Sequence, residues 1–151
     1  MRIVATGLAV LLLSAAGAHA QAPPPSPSDF MARNATADGV HVLPSGVEYK
    51  VLNAGPGTSR HPIPADYVKV DYDGALLNGQ VFDSTKGREP AFFQLKTLIP
   101  GWIDVVQQMQ EGDEWMVWIP PSLGYGAKTK GPIPGDSVLV FRLKLVSILG
   151  G

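Results

Sequence analysis

Tyr67-Val68-Lys69-Val70-Asp71-Tyr72-Asp73-Gly74-Ala75-Leu76-Leu77, followed by Asn78-Gly79 and then by Val81-Phe82-Asp83, decides the fold class. Val68, Val70 and Tyr72 alternate with Lys69, Asp71 and Asp73, the period-2 pattern of a strand with one apolar and one wet face. Asn78-Gly79 between the two runs is a hairpin signal, because Asn-Gly accepts the positive φ values that tight hairpins require. Outward from this hairpin, residues 46–53, 91–95, 114–119 and 138–148 read as further strands. The last of these sets Leu139, Phe141, Leu143 and Leu145 against Arg142 and Lys144. Ile99, Trp102, Val105, Val106 and Met109 instead fall at helical spacing, and Gly112 ends the run, which reads as the longest helix of the chain. One amphipathic helix among antiparallel strands predicts an α+β domain in which a curved antiparallel sheet wraps around that short helix.

The chain has 151 residues, 45% of them hydrophobic, which suffices for one domain with a core and is too short for two. A formal net charge of −1 leaves no basic stripe to follow a phosphate backbone, so nucleic acid is not an expected partner. The absence of cysteine excludes disulfides, thiolate nucleophiles and thiolate zinc sites, without deciding the compartment. His19 leaves with the predicted signal segment, and His41 and His61 have no ligand partner at i+3 or i+4 and read as surface residues. Gly126-Ala127-Lys128-Thr129 lacks the earlier glycine of a phosphate-binding loop, and no G-x-S-x-G elbow is present. Asn34-Ala35-Thr36 matches a glycosylation sequon, a pattern common by chance.

Arg2, the apolar run over residues 3–13 and Ala18-His19-Ala20 have the three parts of a cleavable secretory signal, predicted over residues 1–20. The apolar run is shorter than the ~20 residues that a bilayer span needs. Export to the periplasm or the medium follows, with Gln21 as the mature N-terminus. Residues 21–42 read as a Pro-rich linker and short helical extension. Pro23, Pro24, Pro25 and Pro27 favour extended chain, and a helix capped by Ser28 or Asp29 runs through Phe30 and Ala35 until Gly39 stops it. That helix is too short for a dimerising coiled-coil arm, so a monomer is expected. The folded domain is assigned to residues 43–151.

Five motifs remain in order: Val70-Asp71-Tyr72-Asp73-Gly74; Gly79-Gln80-Val81-Phe82-Asp83-Ser84; Ile99-Pro100-Gly101-Trp102; Tyr125-Gly126; and Ile133-Pro134 followed by Leu139-Val140-Phe141. The stretches over residues 81–84, 99–102 and 123–127 put apolar and aromatic side chains around one carboxylate, Asp83, and one phenol, Tyr125, with no nucleophile near them. Over nearly its whole length the domain resembles the FKBP-type peptidyl-prolyl cis/trans isomerases, the catalytic domain of exported, Mip-like members in particular, here without room for their dimerisation helix. The resemblance implies an FKBP-like fold, isomerisation of X-Pro bonds without a cofactor, proline-containing unfolded or nascent exported polypeptides as partners, and macrolides as inhibitors.

Carried over by resemblance, Trp102 is the pocket floor and Tyr72, Phe82, Phe93, Leu98, Ile99, Ile133 and Phe141 surround the proline. Tyr125 and the Ile99 N–H donate to substrate carbonyls. Asp83 stands at the rim, hydrogen-bonded to Tyr72 and paired with Arg88. Two residues depart from the family pattern, Ala91 and Leu123, where aromatics are common, and the loop over residues 128–132 is short; together they imply a wider pocket. A non-catalytic, peptide-binding chaperone module of the same fold is the alternative reading. Retention of Tyr72, Phe82, Asp83, Trp102 and Tyr125 together favours the enzyme.

Overall fold

β3 (Tyr67–Ala75) and β7 (Leu139–Leu149) form the long central pair of the sheet, antiparallel from Tyr67 opposite Leu149 to Ala75 opposite Val140. The computed structural model describes residues 22–150, so the predicted signal segment and Gln21 lie outside the described residues. The other strands are β1 (Val40–Val42), β2 (Glu48–Asn53), β4 (Val81–Ser84), β5 (Ala91–Gln94) and β6 (Glu114–Ile119). The order is β1-β2-β6-β7-β3-β4, with β5 also on β3, and every pairing is antiparallel. The sheet thus begins at Val40, within the extension upstream of residue 43.

Helix α2 (Pro100–Val106) crosses the inner face. Pro100 occupies its first turn, where the missing N–H costs nothing. Trp102, Val105 and Val106 are buried against Val68, Val70 and Tyr72 of β3, Trp115, Val117 and Ile119 of β6, and Leu139, Phe141, Leu143 and Leu145 of β7 in one core. Each large apolar side chain so buried contributes about 1.5–3 kcal/mol relative to exposure. The helix is shorter than the run to Gly112 predicts. After Val106 the chain tightens into i→i+3 turns, Gln108 N–H to Val105 O and Met109 N–H to Val106 O, which still bring Met109 into the core.

Nor is α2 the longest helix. α1 (Pro27–Asn34) is one residue longer and is capped by Ser26 rather than Ser28 or Asp29. The Ser26 hydroxyl accepts from the Asp29 N–H at 3.1 Å, with Pro27 in the first turn. The helix ends at Asn34, before Gly39. Met31 is buried, and the Asn34 amide donates to Glu48 Oε1 at 2.9 Å, so α1 is docked onto β2.

The predicted hairpin joins β3 to β4, but only Gly79 adopts positive φ (87°). The Gly79 N–H bonds Leu76 O, and the Leu76 N–H bonds Gln80 O. That is a type I turn closed by a left-handed glycine, so Asn78 keeps an ordinary backbone. A bulge at Val146 of β7 re-phases the strand, so that Leu145 and Ile148 both pack on the core despite their odd spacing.

Candidate active site

Nine of the ten residues singled out in the sequence line one cavity of about 220 Å³: Tyr72, Phe82, Asp83, Phe93, Leu98, Ile99, Trp102, Tyr125 and Phe141. They come from β3, β4, β5, the turn before α2, α2 itself, the 121–127 loop and β7. Trp102, 4% exposed, is the common neighbour. Its ring meets Tyr72, Phe141 and Phe93 edge-on, with centroids 5.1, 5.2 and 6.1 Å apart. Phe82 meets Phe141 at 5.7 Å and 90°. Edge-to-face packing of this kind adds about 0.5–1.5 kcal/mol per pair beyond burial and holds the walls rigid.

Ile133 is the exception. Its N–H and carbonyl exchange hydrogen bonds with Lys130 at 2.9 and 2.8 Å, closing a tight turn, and its side chain is buried in the core without lining the cavity. Ala91 and Leu123 are not lining residues either; both pack against the core. Phe93, two residues along β5 from Ala91, supplies that part of the wall.

Phe82 and Asp83 are consecutive, and a regular strand points consecutive side chains to opposite faces. Here β4 is bulged. Asp83 stands opposite Gly74 and Val81 opposite Ala75, leaving Phe82 unpaired, and both Phe82 and Asp83 reach the cavity. Gly74 makes this approach feasible: a Cβ there would stand 2.7 Å from Phe141 and 2.9 Å from Phe82.

The family model of FKBP-type peptidyl-prolyl cis-trans isomerases matches residues 58–146. This chain belongs to that family. It is 42% identical over 121 residues to the outer membrane protein MIP of Legionella longbeachae, covering 79% of this chain and 51% of that protein. Against the FKBP-type 22 kDa peptidyl-prolyl cis-trans isomerase of Escherichia coli K12 it is 41% identical over 122 residues, 80% of this chain and 58% of that one. The chain therefore spans little more than half the length of these curated relatives. The crystal structure of FkpA from Escherichia coli superposes with a TM-score of 0.77 at 33% identity, covering 82% of this chain and 58% of that one. A peptidyl-prolyl cis-trans isomerase from Pseudomonas syringae pv. tomato gives 0.76 at 32% identity, over 82% of this chain and 90% of that one.

In this FKBP-type cavity the polar groups are few and fixed. The Tyr72 hydroxyl donates to Asp83 Oδ2, and burial, reinforced by that hydrogen bond, pushes the phenol well above its ordinary pKa. Tyr72 is therefore a standing proton donor and not a base. Asp83 Oδ1 accepts from the Ser84 N–H at 2.9 Å and lies 3.6 Å from Arg88 Nη2. Ile99 caps α2 in extended backbone, and its N–H bonds to no group among the described residues. The Tyr125 hydroxyl is likewise unbonded among them; the ring, 38% exposed, is presented by a loop in which the Gly124 and Gly126 N–H groups both bond Pro121 O.

Sequence reading missed Thr85. β3 has β5 beside residues 67–70 and β4 beside residues 73–75, which leaves the Tyr72 backbone without a strand partner on that edge. Thr85 fills the gap: its hydroxyl accepts from the Tyr72 N–H at 2.9 Å and its own N–H donates to Tyr72 O at 2.9 Å. A lone threonine after a strand carries no signal of this role, because the gap exists only once β4 and β5 share one edge.

Proposed function

We propose that the chain is a peptidyl-prolyl cis/trans isomerase of exported polypeptides, acting by binding the twisted X-Pro amide in the aromatic cavity. The observation that supports this reading most directly is the convergence of nine family-pattern residues on one small apolar depression. Rotation about X-Pro faces a barrier of about 18–20 kcal/mol, because amide resonance is lost as the bond twists. No covalent bond breaks, so no nucleophile, base or cofactor is called for. The rate rises only if the site holds the twisted amide better than either planar isomer.

Trp102 is the floor under the proline ring, with Tyr72, Phe82, Phe93, Leu98, Ile99 and Phe141 as walls. Their dryness disfavours the charge-separated planar amide relative to the less polar twisted one. The unbonded Tyr125 hydroxyl and Ile99 N–H hold the substrate carbonyls on either side of the rotating bond, and fixing those carbonyls converts binding energy into torsion. Asp83, held by Tyr72, Ser84 and Arg88, keeps negative charge at the rim, where it orients the local field without exchanging a proton.

The test is a protease-free isomerisation assay on short X-Pro peptides. Acceleration proportional to enzyme concentration is expected, and a macrolide should compete with the peptide. Peptide binding with no acceleration would instead make the chain a peptide-holding module. Export is supported by the signal-like sequence of residues 1–20, and no helix among the described residues is long and apolar enough to cross a membrane. N-terminal sequencing of exported material should begin at Gln21. Light scattering should return a monomer, since α1 is too short to form a coiled-coil arm.

A further inference from the structure

A second groove, of about 790 Å³, adjoins the cavity across the 121–127 loop. Met31 and Ala32 of α1 form one side of it and Pro120, Pro121 and Ala127 another, while Gly126 and Ala127 follow directly on Tyr125 of the first cavity. Among the described residues its charged lining groups are Glu48 and Asp136, with no lysine, arginine or histidine. Glu48 is 3% exposed. One of its oxygens accepts from Asn34, and the other has no partner among the described residues. The Asp136 carboxylate has none there either, although its N–H ties the loop together by donating to Gly126 O at 2.8 Å.

We infer that this groove is an accessory client site, which takes a basic side chain flanked by apolar residues from the same polypeptide whose proline occupies the aromatic cavity. The inference rests on the isomerase reading and extends it to the kind of client preferred. Charge complementarity and continuity carry it. Glu48 is almost buried and only one of its oxygens is hydrogen-bonded, so a cation in the groove supplies a counter-charge that no described residue provides, and an acidic residue adds like charge. The apolar walls take the aliphatic stem of lysine or arginine as readily as a neighbouring leucine. The shared loop makes the two depressions consecutive stations along one extended chain.

The experiment compares kcat/KM for proline peptides carrying a Leu-Lys pair with matched Leu-Glu peptides. The pair is moved one residue at a time along either side of the proline, in steps of about 3.3 Å. At some spacing the basic peptide should be favoured about tenfold or more. Glu48→Gln should reduce that ratio to near one, and Val42→Lys, at an exposed position lining the groove, should invert it. Turnover of an unextended tetrapeptide should be the same in all three proteins. No charge preference at any spacing, or a preference untouched by both variants, overturns the accessory site. Failure to turn over the tetrapeptide overturns the isomerase reading instead.

Discussion

Tyr72 and Asp83 are joined by a phenol-to-carboxylate hydrogen bond across the β3–β4 pair, with Tyr72 buried and Asp83 at the half-exposed rim. The bond couples the core to the mouth of the cavity, because the same Tyr72 ring packs edge-on against Trp102. Its pH signature has a definite sign. The folded-state phenol is raised above its ordinary value near 10, so above about pH 10 the unfolded chain loses this proton while the folded one keeps it. Folding stability should therefore fall as pH rises beyond that point. Tyr72→Phe should remove this part of the alkaline slope, at a cost of about 0.5–1.5 kcal/mol near neutrality, read by urea unfolding at several pH values.

Tyr125→Phe separates a substrate donor from a structural hydroxyl. Because the hydroxyl is unbonded among the described residues, the melting curve should barely move. Isomerisation should fall about tenfold, equivalent to about 1.4 kcal/mol in the barrier. Phe141→Ala is the contrast, where truncating a buried ring should cost about 3–5 kcal/mol of stability. A large stability loss in Tyr125→Phe with unchanged turnover per folded molecule would contradict the assignment.

Gly74→Ala should close the cavity from below. Its Cβ would press on the rings of both Phe82 and Phe141, and overpacking of this kind costs about 1–3 kcal/mol. Peptide affinity should drop along with stability. Tryptophan fluorescence under peptide titration and denaturant provides both readings, and full affinity in the variant would show that the two rings can move aside.

Two carboxyls should act oppositely in acid. Asp73 is held below the usual carboxylate range by the Ser84 hydroxyl and by Arg142, whose Nε donates at 2.9 Å. Its contribution is present above the unfolded pKa near 3.8 and is lost as pH falls through the lower folded value. Burial raises Glu48, so its folded form favours the proton. The associated stability is complete below the unfolded pKa of 4.5 and is lost as pH rises through the folded value. Asp73→Asn should flatten the acid limb of the stability profile, while Glu48→Gln, which can still accept from Asn34, should stabilise the protein at neutral pH. A neutral-pH loss in Glu48→Gln would contradict the sign given to Glu48.

The strands and the cavity were legible because each rests on a local pattern. β6 is found at the residues that its alternation predicts, and the remaining predicted strands shift by a few residues at their ends. The ring residues were recognisable from five short motifs in a fixed order. Ile133 was misplaced because its motif sits in a turn, where backbone pairing with Lys130, not strand alternation, sets the direction of the side chain. From its sequence the upstream extension reads as a Pro-rich linker with a short helix. Neither the burial of Met31 nor the Asn34–Glu48 bond is visible until β2 is in place.

By itself the sequence determined the fold class, the place of the hairpin at Asn78-Gly79, the family, and the aromatic character of the site. These depend on hydrophobic periodicity, turn chemistry and residue identity, which are properties of neighbours along the chain. Only the tertiary structure decided that Phe82 and Asp83 share a cavity through a bulge, and that Thr85 completes the edge of β3 at Tyr72. It alone decided that Gly74 makes room for two rings, and that α1 closes over Glu48 to form a second groove. Each of these depends on how separate elements pack against one another, where excluded volume and unpaired backbone groups select the residue and no local pattern records the choice.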